Sequence, residues 1–565
     1  MGLPCEIKQT SGDAVMKNGL WPYPVLILGS SLLLTGCGGD AEGNDAPTGT
    51  DGPSTNVTPT QPELGDAIAG QDVFRFATFG NEFFWTDAVG LPEGIIAADV
   101  TPLDALRLGL HVDFDALDAT TQQALRAELA TDLSPASAPL LNDVDTTLQL
   151  ISANAVIGLA PQDTNGDGAL DVTNGDKTGA TCALCHTITD KSVFNMPGGG
   201  SIGSRQDGRA PHTLDFGGLV ALGTNSMAYF PVLQLALDAA DGATLGRSPE
   251  GLTEDSTEAE ADAYLTNKDF YPRGMFDDTV DGNGDPMHNM PLFRQDLAFP
   301  FGSEGALSTL DNFSNLVYTA LLEPTNVTSE GGRAFVTTLG GSAAGNEIVD
   351  DYLEVLERTG VTGFPYIEAT PPADPAAAGT EPFPLGVRVD DTMLKNMNAY
   401  LVGLAAPPGA DDNVEAVDRG RQLFRTVGCT GCHNVDQSKF VPPFIVDMET
   451  IFPGDDPDVL LARRTPPLNP ILNTPGNIVE NPVNIFDDKM AVVNASIRGL
   501  ERGTGLPLLL DLARKPVFLH DNSVTSLGEL LDPTRGTTAP HPFFLSNPAR
   551  RGDMVEFLKS LDTDV

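Results

Sequence analysis

Two strings constrain this chain more than any other feature: Cys182-Ala183-Leu184-Cys185-His186 and Cys429-Thr430-Gly431-Cys432-His433. Both read C-x-x-C-H, the pattern that attaches c-type haem. Each thiol can form a thioether with a haem vinyl. The adjoining histidine sits where the same tight turn aims its imidazole at the iron. The competing reading, a zinc or redox C-x-x-C pair, needs no following histidine, and here both pairs have one. Two covalently bound haem c groups are therefore expected, with His186 and His433 as proximal iron ligands.

Of the six cysteines, the motifs leave only Cys5 and Cys37, so covalent haem rather than a disulfide framework is the expected staple. Cys37 closes Leu34-Thr35-Gly36-Cys37, behind the apolar run Val25 to Leu34. That run is too short to span a bilayer as a mature helix and suits a signal-peptide core. The pattern resembles the lipobox of bacterial lipoproteins, which implies removal of residues 1–36 and lipidation of Cys37. An ordinary secretory signal is the alternative. Glu6 and Asp13 fit a signal n-region badly, and Met16-Lys17 is the more natural start, so residues 1–15 are expected not to be translated. Either signal exports the chain, as c-type haem attachment requires. With Gly38 after Cys37, lipoprotein sorting rules point to the outer membrane of a two-membrane envelope, the protein otherwise facing the periplasm.

Residues 37–65 are rich in Gly, Pro, Thr, Asp and Asn and poor in large apolar side chains, which reads as a flexible tether. No later stretch is apolar and long enough to cross a membrane, leaving the lipid as the only expected membrane contact. A net charge of −46 argues against nucleic acid, whose phosphates would be repelled. It gives a self-repelling surface that suits a basic electron-donor protein or a salty habitat.

The folded body is expected to be mainly α with many long loops. Val414 to Thr426 is helix-compatible and carries Gly420-Arg421-Gln422-Leu423-Phe424 just before Cys429. Asn547 caps a second helix with Pro548 at its first position, and Met554, Phe557, Leu558 and Leu561 recur at helical spacing. This bracketing of a haem motif resembles class I cytochrome c, in which two terminal helices cross at a glycine. The pattern occurs twice. Gly70-Gln71-Asp72-Val73-Phe74 echoes the first helix, and Leu394, Met397, Tyr400, Leu401 and Leu404 echo the last. The expected organisation is two cytochrome c-like haem domains in tandem, 66–406 and 410–565, the first with large loop-rich insertions. One Pro/Ala-rich loop spans Thr370 to Pro382, and Ala405 to Gly409 reads as the linker. Ala119 to Leu133 and a capping box at Thr257 and Glu260 predict further helices.

Two such motifs in tandem resemble the bacterial di-haem cytochrome c peroxidase superfamily. That superfamily includes the di-haem enzyme that matures methylamine dehydrogenase and, more distantly, the rubber oxygenases. Phe518-Leu519-His520-Asp521-Asn522-Ser523-Val524, followed by Ser526-Leu527, is similar to the superfamily's (Y/F)-x-H-(D/N)-G-S-x-x-(S/T)-L segment. Asn522 replaces the usual glycine, which is tolerable because asparagine also accepts left-handed conformations. The resemblance implies one six-coordinate haem that relays electrons and one with an open site where peroxide or dioxygen reacts.

For the second haem, the distal candidates are His541, preferred as axial ligand, and His520, placed in the haem surroundings, with Met490 and Met554 as alternatives. The peroxidases place a methionine where Thr534 stands, so a peroxidase-type His/Met haem is in doubt. For the first haem, His212 is the leading candidate and His288 stands behind it; the plain reading of both is a loop or packing histidine. No glutamate lies in the context of the superfamily's catalytic acid, so the acid–base group is unknown. Arg205 and Arg209 can polarise a peroxide, or simply carry surface charge. Trp85 lies upstream of the first haem motif, unlike the bridging tryptophan of the peroxidases.

Asp163-Thr164-Asn165-Gly166-Asp167-Gly168-Ala169-Leu170-Asp171 follows a calcium-loop pattern. Asp163, Asn165, Asp167 and Asp171 are the candidate ligands, although Asn174 replaces the closing bidentate glutamate. An acidic loop without metal is the alternative. Asp281-Gly282-Asn283-Gly284-Asp285 is a weaker copy.

The expected activity is that of a di-haem oxidoreductase, reducing hydrogen peroxide with electrons from a small periplasmic cytochrome or cupredoxin. The alternatives are an electron-transfer di-haem cytochrome without catalysis and a dioxygen-using oxygenase or oxidase on the same scaffold.

Overall fold

The computed structural model describes residues 62–232, 252–268, 271–276, 287–298, 301, 309–340, 342–367, 387–410, 412–431, 433, 507–519, 522, 524–536 and 541–562. It adds short strands at 445–447, 468–469, 474–475, 488–489, 492–493 and 503–505. By internal contacts the chain divides into Met1–Cys37 and Gly38–Val565. The first unit, with Cys5 and Cys37, lies outside the described residues, as do most of the tether, the loop from Thr370 to Pro382 and Asp281 to Asp285.

Helices dominate the body, and the two that matter most here cross their partners at a glycine. Asp66 caps the Ala67–Phe76 helix by accepting from the Ile68 and Ala69 amides. That helix packs on Asp391–Gly403. A Cβ at Gly70 would lie 1.9 Å from the Asn396 carbonyl oxygen, so only glycine permits this approach. Asn413 caps Val414–Thr426, and Asn547 caps Pro548–Lys559. These two pack together. A Cβ at Gly420 would lie 2.1 Å from the Asp553 carbonyl oxygen and 2.6 Å from Phe557 Cβ.

Each helix pair belongs to its own hydrophobic core. The larger core runs from Val73 and Phe74 through Trp85 and Tyr318 to Leu401, with Cys182 and Cys185 against it. The smaller gathers Val417, Leu423, Phe424, Phe518, Val524, Met554 and Phe557, with Cys429 against it. Each motif is thus seated on the core that its flanking helices build.

The described strands are short. Leu159–Gln162 pairs antiparallel with Lys177–Ala180 just before the first motif, and Thr187–Thr189 pairs with Arg205–Asp207 just after it. Met275–Phe276 pairs with Met287–His288, with Met275 opposite His288. The Ala119 helix ends at Leu129, four residues short of the predicted Leu133, because Ala130 takes ψ 1° and leaves helical geometry. The predicted capping box at Thr257 and Glu260 forms and opens the Glu258–Thr266 helix.

Candidate functional site

Both motifs fold as tight turns. The first is the short helix Ala183–His186, followed at once by strand Thr187–Thr189. The second turns through Cys429–Gly431, and the His433 amide donates to the Cys429 carbonyl at 2.9 Å. Cys432 lies outside the described residues. Burial pushes the thiols of Cys182 and Cys185 up to about 11 and about 12. Cys182 Sγ–H donates to Tyr318 Oη at 3.3 Å, and Met397 Sδ lies 4.0 Å from the same sulfur. Tyr318 sits in the π-helical turn Val317–Leu321 and packs edge-on to Phe79, with ring centroids 4.5 Å apart.

The histidines of both motifs are held in a form that could bind a metal. His186 Nδ1–H donates to the Met290 carbonyl at 2.9 Å. That bond fixes the tautomer and leaves Nε2 as the donor atom for iron. Burial depresses both imidazoles, to about 4 for His186 and about 4 for His433, so both stand neutral, the form that binds a metal.

Near His433 stands His541, with ring centroids 6.3 Å apart and planes 47° off parallel. Two imidazoles on opposite sides of one metal, with bonds of about 2.0 Å and ring nitrogens about 1.2 Å from their centroids, would stand about 6.4 Å apart, so His433 and His541 could hold one iron together. His541 Nδ1 is buried and has no hydrogen-bond partner among the described residues. Burial, then the neighbouring His433 and Arg535, depress its imidazole to about 3. Its φ of 54° is a left-handed value that costs a non-glycine residue energy. Met554, the other described alternative, is a core residue behind Phe424 and Phe557. His520 and Met490 lie outside the described residues.

The first motif has different surroundings. Among the described residues no histidine faces His186 as His541 faces His433. His212 and His288 instead stack on one another, with centroids 4.7 Å apart and planes 15° off parallel. His288 Nδ1–H donates to Asn522 Oδ1. Asn522 is fully buried and takes φ 55°, the left-handed conformation a glycine would adopt there. The structure thus brings His212 and His288 together with the superfamily-like segment.

Both candidate arginines are committed. Arg205 is buried rather than a surface charge, pairing with Asp113 at 2.6 Å and donating to the Asn154 carbonyl at 2.7 Å. Arg209 pairs with Asp511 at 3.1 Å and donates to Gln206 at 2.6 Å. Trp85 is fully buried among Phe84, Phe216 and Tyr229, its indole N–H donating to the Leu322 carbonyl at 3.0 Å.

The acidic loop is closed by its own amides. Asp163 accepts from Gly166, Asp167 and Gly168; Asn165 accepts from Asp167; Asp167 from Ala169; Asp171 from Thr173. The buried anchor is Asp176, which accepts from the amides of Thr164 at 3.1 Å and Asp171 at 2.9 Å. Sequence reading missed Asp176, whose only signal is its place after Gly175. Among the described residues no group of three or more His, Cys, Asp or Glu side chains converges to hold a metal ion.

Comparison with family models, curated proteins and solved structures found no match to this chain. The assignment of chemistry therefore rests on the residues themselves. Cys182, Cys185 and His186, and Cys429, Cys432 and His433, would hold the two haem groups, with His541 as a second axial ligand to the latter.

Proposed function

We propose that this protein is an exported, lipid-anchored di-haem c-type oxidoreductase that reduces hydrogen peroxide with electrons from a small periplasmic redox protein. The haem at His186 is the reactive one, and the haem at His433 relays electrons. Bound haem supplies one-electron chemistry, and an iron with an open sixth position also supplies a place for peroxide. The observation that supports this division is the unequal setting of the two motif histidines. His541 faces His433 across 6.3 Å, whereas His186 is braced by Met290 and has no histidine facing it that way among the described residues. Two strong axial ligands exclude a substrate; one ligand leaves room for it.

The test is electron paramagnetic resonance of the haem-loaded protein holding one electron per two haems, with calcium present. The expected spectrum has a high-spin ferric signal that collapses when peroxide is added. In the fully oxidised protein, His541→Ala should convert the low-spin ferric signal of the second haem to high spin. Two low-spin haems indifferent to peroxide would instead mean an electron carrier, and the proposal would fall.

A further inference from the structure

Beside His186 lies a group of cations that the proposed chemistry does not use. The Gly208 amide donates to the His186 carbonyl at 2.7 Å, and the Leu292 amide donates to the Gly208 carbonyl at 2.9 Å. Arg209 follows directly and reaches across to Asp511, which is buried. The second oxygen of Asp511 accepts from Arg514 at 2.7 Å. Arg514 also donates to the Pro408 carbonyl at 2.7 Å, fixing the linker. Lys515 is the next residue. It is half-buried, with Nζ 6.0 Å from the Phe518 ring. Burial pushes its ammonium down to about 8, against the pull of Asp511. The charges of Lys515 and Arg209 both reach His212, whose Nδ1 is buried without a partner among the described residues.

Arg209 and Arg514 thus share one carboxylate, and Lys515 follows Arg514 in the chain. Removing charge from water is costly unless it is neutralised; Arg514 is exposed and keeps its water, but among the described residues Asp511 cannot balance both Arg209 and Lys515. The excess is positive, and one of its members, Arg209, directly follows Gly208, whose amide bonds the His186 carbonyl. A carboxylate is the matching ligand, because guanidinium and ammonium groups bind carboxylate oxygens through charge-assisted hydrogen bonds.

We infer that Arg209, Arg514 and Lys515, arranged around Asp511, form the seat of a propionate carboxylate of the first haem, and so set that haem's reduction potential from the junction with the second core. The inference rests on the di-haem reading. A positive charge beside a haem disfavours the ferric state, which carries the greater positive charge. Loss of the cation therefore lowers the midpoint potential, and loss of the anion raises it.

The experiment is spectroelectrochemical titration of the full-length, haem-loaded protein, with haem counted by pyridine haemochrome. Lys515→Met should lower the midpoint of the first haem by a factor of about ten in its equilibrium constant, ~59 mV for a one-electron couple. Asp511→Asn should raise it. Lys515→Arg should keep the wild-type value and guards against a folding defect in the methionine variant. The second haem should move less than the first. A purely structural ion-pair network would leave the potentials unmoved, or shift the Lys515 and Asp511 variants in the same direction; either result, with two haems still bound, overturns the inference. A wild-type protein without covalent haem would sink the di-haem reading itself. Equal loss of potential on adding acetate or phosphate to wild type would identify a free anion, not the propionate, as the occupant.

Discussion

At the scale of single residues, one side chain outside the two C-x-x-C-H motifs has a measurable signature. Glu323 is fully buried and accepts from the Thr325 amide at 3.1 Å, from the Thr325 hydroxyl and from Asn326 Nδ2. Burial raises its carboxyl to about 8, above the ordinary value of 4.5. A carboxyl held above its unfolded value binds its proton more tightly in the native state. Its contribution to stability is then full below about pH 4.5 and is lost as pH rises through about 8. Wild type should lose thermal stability across that window. Glu323→Gln keeps a neutral side chain at every pH and should flatten the decline. Melting curves from pH 5 to 9 check this, and parallel declines in both proteins would refute it. Asp351 is also raised, to about 7, by burial and then by Glu254, Glu347, Glu354 and Asp350, so some slope should remain in the variant.

At the scale of elements, the two glycine crossings make the sharpest prediction. Gly420→Ala places a methyl group 2.1 Å from the Asp553 carbonyl oxygen, so the helices must separate. Overpacking of this kind costs about 1–3 kcal/mol. Gly552 lies on the partner helix with nothing within 4 Å of its would-be Cβ. Gly552→Ala should stabilise by about 0.5–1 kcal/mol through helix propensity alone. Denaturant melts of both variants separate steric from propensity effects; a harmless Gly420→Ala would remove the argument for close approach. These helices were legible because local signals mark them: Asn413 and Asn547 as caps, Pro548 at the first turn, apolar residues at helical spacing. The strands were not. Thr187–Thr189 and Arg205–Asp207 are three residues each and pair across a loop, leaving no run long enough to show alternation. The site divides the same way. Cys182, Cys185 and His186 announce themselves by spacing, and His541 by the helix it precedes. The Met290 carbonyl that braces His186 lies 104 residues away and is a backbone group, which no side-chain pattern can reveal. Tyr318 beside Cys182, and Asp511 on Arg209, are likewise products of tertiary packing.

For the whole molecule, charge is the dominant unbalanced quantity. Thirty-two lysines and arginines face 78 aspartates and glutamates, so like charges must lie close together on any fold. The group around Asp351 is one such place: burial, then four neighbouring carboxylates, lift its carboxyl. That repulsion is absent where salt screens it, because the Debye length falls from about 30 Å at 0.01 M to about 3 Å at 1 M. The native state packs these charges closer than the unfolded chain does, so screening should favour it. Raising sodium chloride from 0.01 to 1 M should lift the thermal midpoint by at least about 2 °C, with most of the gain below 0.2 M, where screening changes fastest. Sulfate would add preferential exclusion to screening, so chloride is the cleaner choice. The ion pairs run the other way: Arg209 with Asp511, Arg205 with Asp113 and Arg75 with Asp207 are partly or wholly buried and resist screening. A midpoint that falls with salt would mean that attractive pairs outweigh the net repulsion despite the charge of −46. The acidic surface would then matter for partner choice and solubility rather than for stability.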